Sequence, residues 1–291
     1  MTCDPFRSDL LASKICFITG GGSGLGRSIA ERVASLGASV GVLGRREAPL
    51  RETVDSLHTA GNRAAWASCD IRDLESVRSA FGQLEAALGP PTRLVNAAAA
   101  NFLCAAEDLS ANGFDAVVRT VLHGTFHCTQ TLARSLITRG EPGAVVSIVT
   151  NYAERGSCFV LPSAVAKAGV LNMTRSLAVE WAAYGIRLNA VAPGPFPTEG
   201  AWTRLFPTKQ VEEEARRRIP VRRFGEHYEL TNLVAYLLSD ASPYQTGDLV
   251  TIDGGEELMS GQEFSGLVQH ERQALKQVMA AMRPPKVQKE R

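Results

Sequence analysis

The sequence lacks a long apolar run. None of its segments approaches the roughly 20 residues that cross a bilayer, so no membrane span is predicted. It also lacks an excess of either charge, since 31 Lys and Arg balance 30 Asp and Glu. The resulting net charge of +1 gives no indication of binding to nucleic acid or to an anionic membrane surface.

The six cysteines contain no C-x-x-C pair. Scattered cysteines in a chain of this size are typical of reduced thiols, and no metal site is predicted. The first residues do not combine a basic start with a long apolar core, so no signal peptide is predicted. We therefore expect a cytoplasmic protein.

What is present is an alternation of short apolar strands with helical patterns along 291 residues. This alternation favours a Rossmann-type α/β fold, in which a doubly wound parallel sheet of seven strands has helices on both faces. We expect one such domain over residues 1–260 and a helical tail over 261–291. The strands are predicted at residues 15–19, 39–43, 64–69, 93–95, 144–149, 187–192 and 248–253.

A glycine-rich turn joins the first strand to the first helix. In such a turn the backbone can approach a pyrophosphate, whose charge the helix N-terminus favours. The alternative is a merely flexible turn, which the flanking strand and helix make less favoured. The cofactor-binding residues predicted here are Gly20, Gly22, Ser23, Gly24, Leu25 and Gly26.

Two arginines, Arg45 and Arg46, follow the second strand. An NAD site usually places Asp or Glu there to hold the ribose hydroxyls, whereas guanidinium groups suit a 2′-phosphate. The pattern therefore favours NADP(H) over a solvated basic loop.

Polar residues also follow the third and fourth strands. Asp70, with Ile71, can accept a hydrogen bond from the adenine amino group, although a helix-capping role for Asp70 or Asp73 is equally consistent with the sequence. Asn96 begins a run of small residues that allows close approach of a cofactor. Asn101 can donate an N–H into the cleft, or it can satisfy its own turn.

The segment from Ser147 to Lys167 carries the candidate chemistry. Tyr152 lies just beyond the fifth strand, where open α/β sheets bind ligands. Ser163 and Lys167 are four residues apart and share one helix face. A structural tyrosine covering the cleft is the alternative for Tyr152, and we favour catalysis.

The chain resembles the short-chain dehydrogenase/reductase family over nearly its whole length. The resemblance rests on Thr19 to Gly26, on Asp70 and on four further elements. These are Asn96-Ala97-Ala98-Ala99, Lys167, Pro193-Gly194, and Thr198 at the position that contacts the nicotinamide end.

The departure from the family pattern is at Ser163, where the family carries the tyrosine of Tyr-x-x-x-Lys. An alkyl hydroxyl is a far weaker acid than a phenol, whose pKa is about 10. Simple carbonyl reduction through Ser163 is therefore not expected.

One subfamily, the NADPH-dependent 2,4-dienoyl-CoA reductases, is similar at these positions. It shares Asn101-Phe102, Tyr152-Ala153-Glu154 and the run from Pro162 to Lys167. Ala97 and His123 replace asparagines of that subfamily, which puts a water-mediated proton relay in doubt. His123 could itself be a proton relay, but we favour a packed or partly exposed helix histidine.

The resemblance implies an acyl-CoA substrate and a homotetramer. Tyr152 and Asn101 would stabilise the thioester enolate, Lys167 would hold the nicotinamide ribose, and Ser163 would bind cofactor or substrate. The alternatives are a reductase of another enoyl or carbonyl (3-oxoacyl-type) substrate and a cofactor-binding protein without turnover.

A long charged segment, about residues 196–225, is predicted to be a substrate lid. Its arginines could meet the phosphates of CoA, but pairing with neighbouring acids on a solvated helix is favoured for most of them.

Overall fold

The computed structural model describes residues 4–198 and 208–259, together with Glu271, Gln273, Ala274, Lys276 and Gln277. Seven strands form one sheet in the order β3-β2-β1-β4-β5-β6-β7, and every neighbouring pair is parallel. The predicted parallel sheet is confirmed. The strands are β1 Ile15–Thr19, β2 Ser39–Gly44, β3 Ala64–Ser68, β4 Arg93–Asn96, β5 Gly143–Ile148, β6 Ile186–Pro193 and β7 Leu249–Ile252.

Helices cover both faces of this sheet. One face packs on apolar side chains such as Ile29, Leu50 and Val234, and the other on Phe81 and Leu132. None of the helices described is both long and apolar enough to cross a membrane. The α-helices are α1 Gly24–Ser35, α2 Glu47–Thr59, α3 Leu74–Leu88, α4 Ala111–Val118, α5 Gly124–Arg139, α6 Leu161–Glu180, α7 Lys209–Arg218, α8 His227–Leu238 and α9 Glu256–Met259.

The long helical segment between β4 and β5 is not one continuous α-helix. A π-helical turn, Arg119–His123, separates α4 from α5. Two features accompany this wide turn. The Thr120 and Thr125 hydroxyls donate to carbonyls four residues earlier, and such bonds bend helices. A Cβ at Gly124 would lie 2.5 Å from the Ile71 side chain, so only glycine allows this approach.

Part of the predicted lid and most of the predicted tail lie outside the described residues, including residues 200–205 and the apolar tail positions Leu267, Leu275, Val278 and Met282. The two ends of the lid segment are adjacent, because the Gly225 N–H donates to the Pro195 carbonyl at 3.1 Å. The Phe196 ring is buried against Gly225. These contacts anchor the segment at the carboxyl end of β6.

Candidate active site

Three of the predicted catalytic side chains meet beyond the carboxyl ends of β4 and β5. Tyr152 lies on a single 3₁₀ turn, Asn151–Ala153, which follows β5. Its Oη is 3.1 Å from Ser163 Oγ on α6, and either hydroxyl can be the donor. Asn101, on the loop after β4, donates from Nδ2 to the same Oη over 3.5 Å. Fifty-one residues separate Asn101 from Tyr152 along the chain, so only the sheet brings them together.

The amide of Asn101 is oriented by its own loop. Its Oδ1 accepts the Phe102 backbone N–H at 2.9 Å, which turns Nδ2 towards Tyr152. One end of the amide thus satisfies its own loop and the other points to Tyr152, while its donation to a ligand in the cleft stays a prediction. Ser163 is buried, Tyr152 is half-buried and Asn101 is exposed, so the three groups extend from the floor of the site to its mouth.

Lys167 lies one helical turn after Ser163 on the buried face of α6. Its Nζ donates to the Ile148 carbonyl at 2.5 Å, at the end of β5. Burial in the protein interior lowers the pKa of this ammonium to about 8. The site therefore contains a cation that loses its charge at a moderately alkaline pH.

Ion pairs and hydrogen bonds fix the segment that carries Tyr152. Glu154 pairs with Arg175 of α6 at 2.7 Å. Arg155 donates to the Glu257 carbonyl at 3.1 Å and lies 3.4 Å from its carboxylate. Glu154 belongs to a motif in the sequence, but nothing in the sequence indicated these partners.

The groove at the glycine-rich turn has the shape that a dinucleotide requires. Gly20 has φ +70°, and a Cβ there would lie 2.9 Å from Ala98 Cα. A Cβ at Gly26 would lie 2.3 Å from the Gly20 carbonyl oxygen, so α1 starts directly against the turn. The Ser23 side chain makes no capping hydrogen bond to the amides of the first turn of α1. These residues fit a bound pyrophosphate.

The far wall of this groove comes from the end of β6. Pro193 ends the strand, and a Cβ at Gly194 would lie 2.7 Å from Asp253 Cβ. Thr198 lies across the groove, since its methyl carbon would be 3.5 Å from a Cβ at Gly24. The predicted residues of β6 and of the glycine turn thus face each other.

Comparison with known proteins identifies the family. The model described as Enoyl-(Acyl carrier protein) reductase matches residues 20–257. The chain belongs to the short-chain dehydrogenase/reductase family. It is 41% identical over 255 residues to a Caenorhabditis elegans protein named "Probable 2,4-dienoyl-CoA reductase 3 ((3E)-enoyl-CoA-producing)", covering 86% of this chain and 82% of that protein.

Two further comparisons agree with this assignment. A Bacillus subtilis protein named "Probable 2,4-dienoyl-CoA reductase ((2E)-enoyl-CoA-producing)" is 40% identical over 249 residues, covering 85% of this chain and 98% of that protein. The crystal structure of a short chain dehydrogenase from Bacillus anthracis is 37% identical, with a TM-score of 0.78, covering 86% of this chain and 98% of that one. The predicted resemblance to dienoyl-CoA reductases is confirmed.

In this short-chain dehydrogenase/reductase Arg45 and Arg46 are exposed at the end of β2, beside the glycine turn. Arg45 lies close enough to Asp70 to contribute to a lowered carboxyl pKa, although the main cause is the hydrogen bonds from Arg72. No ion pair of Arg45 or Arg46 occurs among the residues that the structure describes. Both guanidinium groups can therefore meet an added anion.

The capping alternative at α3 belongs to Asp73, whose carboxylate accepts the Glu75 backbone N–H at 3.0 Å. Asp70 instead pairs with Arg72, at distances of 2.5 to 3.0 Å. The adenine contact of Asp70 stays a prediction, and any such contact competes with Arg72.

Two predicted cofactor residues have their side chains in the interior. The Asn96 amide is buried and donates to Thr129 Oγ1 at 3.0 Å and to Ser147 Oγ at 3.3 Å. The Ile71 side chain is buried against Gly124. Both side chains are thus held in the interior, and the predicted contact of Asn96 and Ile71 with cofactor stays a prediction.

Thr19 is a residue whose role the sequence analysis missed. Its buried hydroxyl accepts the backbone N–H groups of Ala97 and Ala98, both at 3.1 Å. It therefore connects the end of β1 to the loop after β4, between the glycine turn and Asn101. A threonine as the last strand residue before a glycine turn was the available signal.

His123, the last residue of the π turn, and His127 of α5 do not join the hydrogen-bonded group described around Tyr152. His123 is exposed, more so than the packed or partly exposed histidine favoured from the sequence. His127 is nearer the interior, and its Nδ1 hydrogen-bonds the Ile71 carbonyl at 2.9 Å. No hydrogen bond of the His123 ring occurs among the residues that the structure describes, and a role for it in proton transfer stays untested.

The charged helix of the lid pairs within itself. Arg216 lies 3.2 Å from Glu212 and 3.4 Å from Glu213, and Arg217 lies 3.5 Å from Glu213. These are pairs between adjacent helical turns, as favoured by the sequence analysis. The charges of Arg216 and Arg217 are therefore already compensated by neighbouring glutamates, without CoA phosphates.

Proposed function

We propose that this chain is an NADPH-dependent reductase of 2,4-dienoyl-CoA thioesters that forms a 3-enoyl-CoA. The observation that carries the proposal is the position of the phenol. Ser163 stands where the family has its acidic tyrosine. The Tyr152 Oη lies 3.1 Å from Ser163 Oγ and also accepts a hydrogen bond from Asn101. A displaced phenol beside an amide suits stabilisation of an oxyanion better than protonation of a ketone.

The cofactor, when bound, supplies a hydride to the far end of the diene. Negative charge then collects on the thioester oxygen, and hydrogen-bond donors aimed at that oxygen lower the barrier. Tyr152 Oη accepts from Asn101 and can donate its own proton forwards to the thioester oxygen. The Asn101 amide retains a second N–H for the same oxygen. A proton from water at the α-carbon completes the reduction.

The other two residues support this arrangement. Ser163 Oγ fixes the phenol oxygen from the buried side without giving up a proton. The Lys167 ammonium keeps the floor of the site positive and can hold the nicotinamide ribose. Arg45 and Arg46 select the 2′-phosphate of NADPH because a guanidinium binds phosphate with paired N–H donors.

A second candidate is a reductase of another enoyl or carbonyl thioester, such as a 3-oxoacyl-CoA. Ala97 and His123 favour it, since both depart from the subfamily pattern. NADPH oxidation measured with a 2,4-dienoyl-CoA, a 2-enoyl-CoA and a 3-oxoacyl-CoA separates the candidates. We expect turnover of the dienoyl substrate and a 3-enoyl product by NMR; turnover of the 3-oxoacyl substrate alone would reject the proposal.

Replacing Ser163 with alanine is expected to lower kcat less than about fivefold, because a serine hydroxyl of high pKa is not the acid. The measurement is steady-state reduction of a 2,4-dienoyl-CoA. Ser242→Ala is the matched control, since Ser242 is a buried serine far from Tyr152 that bonds only local carbonyls. A loss of several hundredfold in Ser163→Ala alone would make Ser163 the proton donor and contradict the mechanism.

NADPH affinity is expected to fall as pH rises through about 8, because the Lys167 pKa lies there in the free protein. The protonated form binds the cofactor, so the Kd rises by up to about tenfold per pH unit above this value. Fluorescence titration from pH 7 to pH 9.5 measures it. In Lys167→Met the Kd should be higher at pH 7 and nearly constant with pH, and an unchanged slope in that variant would assign the effect to another group.

A further inference from the structure

An exposed aromatic residue lies on the loop between Tyr152 and Ser163. Phe159 exposes 60% of its surface and has φ +63°. A bulky side chain rarely adopts this left-handed conformation, which is strained and recurs at ligand sites. Neither burial of the ring nor backbone preference explains why phenylalanine stands at this position.

The Phe159 backbone is joined to the loop that carries Asn101. The Cys104 N–H donates to the Phe159 carbonyl at 2.9 Å. This bond joins the Phe159 backbone to the loop of Phe102 and Leu103, which directly follow Asn101 and are 40% and 67% exposed. Leu161, two residues beyond Phe159, is 42% exposed. We call Phe102, Leu103, Phe159 and Leu161 the apolar rim.

The position of Phe102 within the rim is set by α4. A Cβ at Gly113 would lie 3.2 Å from the Phe102 ring, so the ring rests on the start of this helix. The rim therefore extends from α4, past the Asn101 loop, to the start of α6. Exposed apolar side chains grouped around a polar site are typical of ligand-binding surfaces.

We propose that the apolar rim binds the hydrocarbon tail of the acyl thioester and sets a preference for longer chains. This inference rests on the proposed function, which places the thioester carbonyl at Tyr152 and Asn101. Asn101 and Phe102 are adjacent in the chain, so the rim begins next to the site proposed for the thioester carbonyl. The Phe159 ring, held outwards by its left-handed backbone, covers the tail.

Phe159→Gly is the variant that tests the rim, because glycine adopts φ +63° without strain and the loop can keep its path. Turnover is measured with 2,4-hexadienoyl-CoA and 2,4-decadienoyl-CoA. The variant is expected to lose about tenfold in kcat/KM for the longer substrate through KM, as for other apolar pocket contacts. Activity on the shorter substrate should stay within about twofold, because its tail ends before the rim.

Ser13→Gly is the matched control. Ser13 is also an exposed residue with φ +62°, but it precedes β1 at the opposite edge of the sheet. Ser13→Gly should leave kcat/KM unchanged for both substrates. Binding of hexanoyl-CoA and decanoyl-CoA, measured by calorimetry with NADP⁺ present, provides a readout that does not depend on turnover. Phe159→Gly should raise the Kd of decanoyl-CoA about tenfold and leave the Kd of hexanoyl-CoA nearly unchanged.

Three outcomes overturn the proposal: equal loss on both chain lengths, no loss on either, or a change in sedimentation mass with an unchanged chain-length ratio. The last would make the rim a contact between copies of the chain. If the wild-type protein reduces neither dienoyl-CoA, the proposed function fails. The calorimetric difference between decanoyl-CoA and hexanoyl-CoA then decides separately whether the rim binds an acyl tail.

Discussion

Tyr152→Phe is expected to lower kcat for a 2,4-dienoyl-CoA about 100-fold, because losing one oxyanion donor costs roughly 3 kcal/mol. The change removes one oxygen and keeps the ring, so packing of the Asn151–Ala153 turn is retained. Ser163 loses its 3.1 Å partner but remains buried beside the ring. Stopped-flow measurement of NADPH oxidation under single-turnover conditions separates the hydride step from product release.

The binding of NADPH should be unchanged in Tyr152→Phe, because its phenol contacts only Asn101 and Ser163 among the hydrogen bonds described. Tyr244→Phe is the matched control. Tyr244 is fully exposed, just before β7 at the edge of the sheet opposite Tyr152, and should retain full activity. Wild-type kcat in Tyr152→Phe would remove the proposed oxyanion donor, whereas a parallel loss of NADPH affinity would indicate a structural tyrosine.

Asn101 and Tyr152 should behave as one unit in this experiment. Their 3.5 Å contact means that Asn101→Ala also leaves the phenol without its orienting donor. The double variant is therefore expected to lose less than the product of the two single losses, as contacting residues do. Strictly multiplicative effects would show that the two groups act on different atoms of the substrate.

The strands of this protein could be predicted from the sequence because buried parallel strands are short apolar runs. Ile15–Thr19 and Gly143–Ile148 are almost wholly buried, and their composition shows this directly. The π turn Arg119–His123 could not be predicted in this way. The residues on both sides of this turn keep a helical pattern in the sequence. The turn is accompanied by the packing of Gly124 on Ile71, and a contact between distant parts of the chain cannot be read from local sequence.

In the candidate site, too, some features could be predicted from the sequence and others could not. That Tyr152 and Ser163 lie near each other follows from their places at a strand end and on the next helix. The direction of a side chain does not follow from its place, as Asn96 and Ile71 show. Both occur at strand ends beside the groove, but their side chains point into the layer between sheet and helices. Thr19 was likewise visible in a motif, while its two amide partners depended on the fold.

Arg45→Asp is expected to lower kcat/KM for NADPH about 100-fold, because the change replaces a phosphate-binding cation with an anion beside the 2′-phosphate. NADH lacks that phosphate, and a carboxylate at this position accepts hydrogen bonds from its ribose hydroxyls. The kcat/KM for NADH should therefore rise, reversing the preference for NADPH. Steady-state kinetics with each cofactor at saturating dienoyl-CoA measures both changes.

Arg134→Asp separates this effect from a general change in charge. Arg134 is exposed on α5, so its replacement alters the net charge equally but leaves the end of β2 intact. Asp70 provides an internal check, because Arg45 contributes to its lowered carboxyl pKa and that pKa should rise in Arg45→Asp. If the Asp70 pKa rises while the preference for NADPH persists, Arg45 faces the adenine pocket without contacting the 2′-phosphate. Arg46 would then be the residue that selects the cofactor.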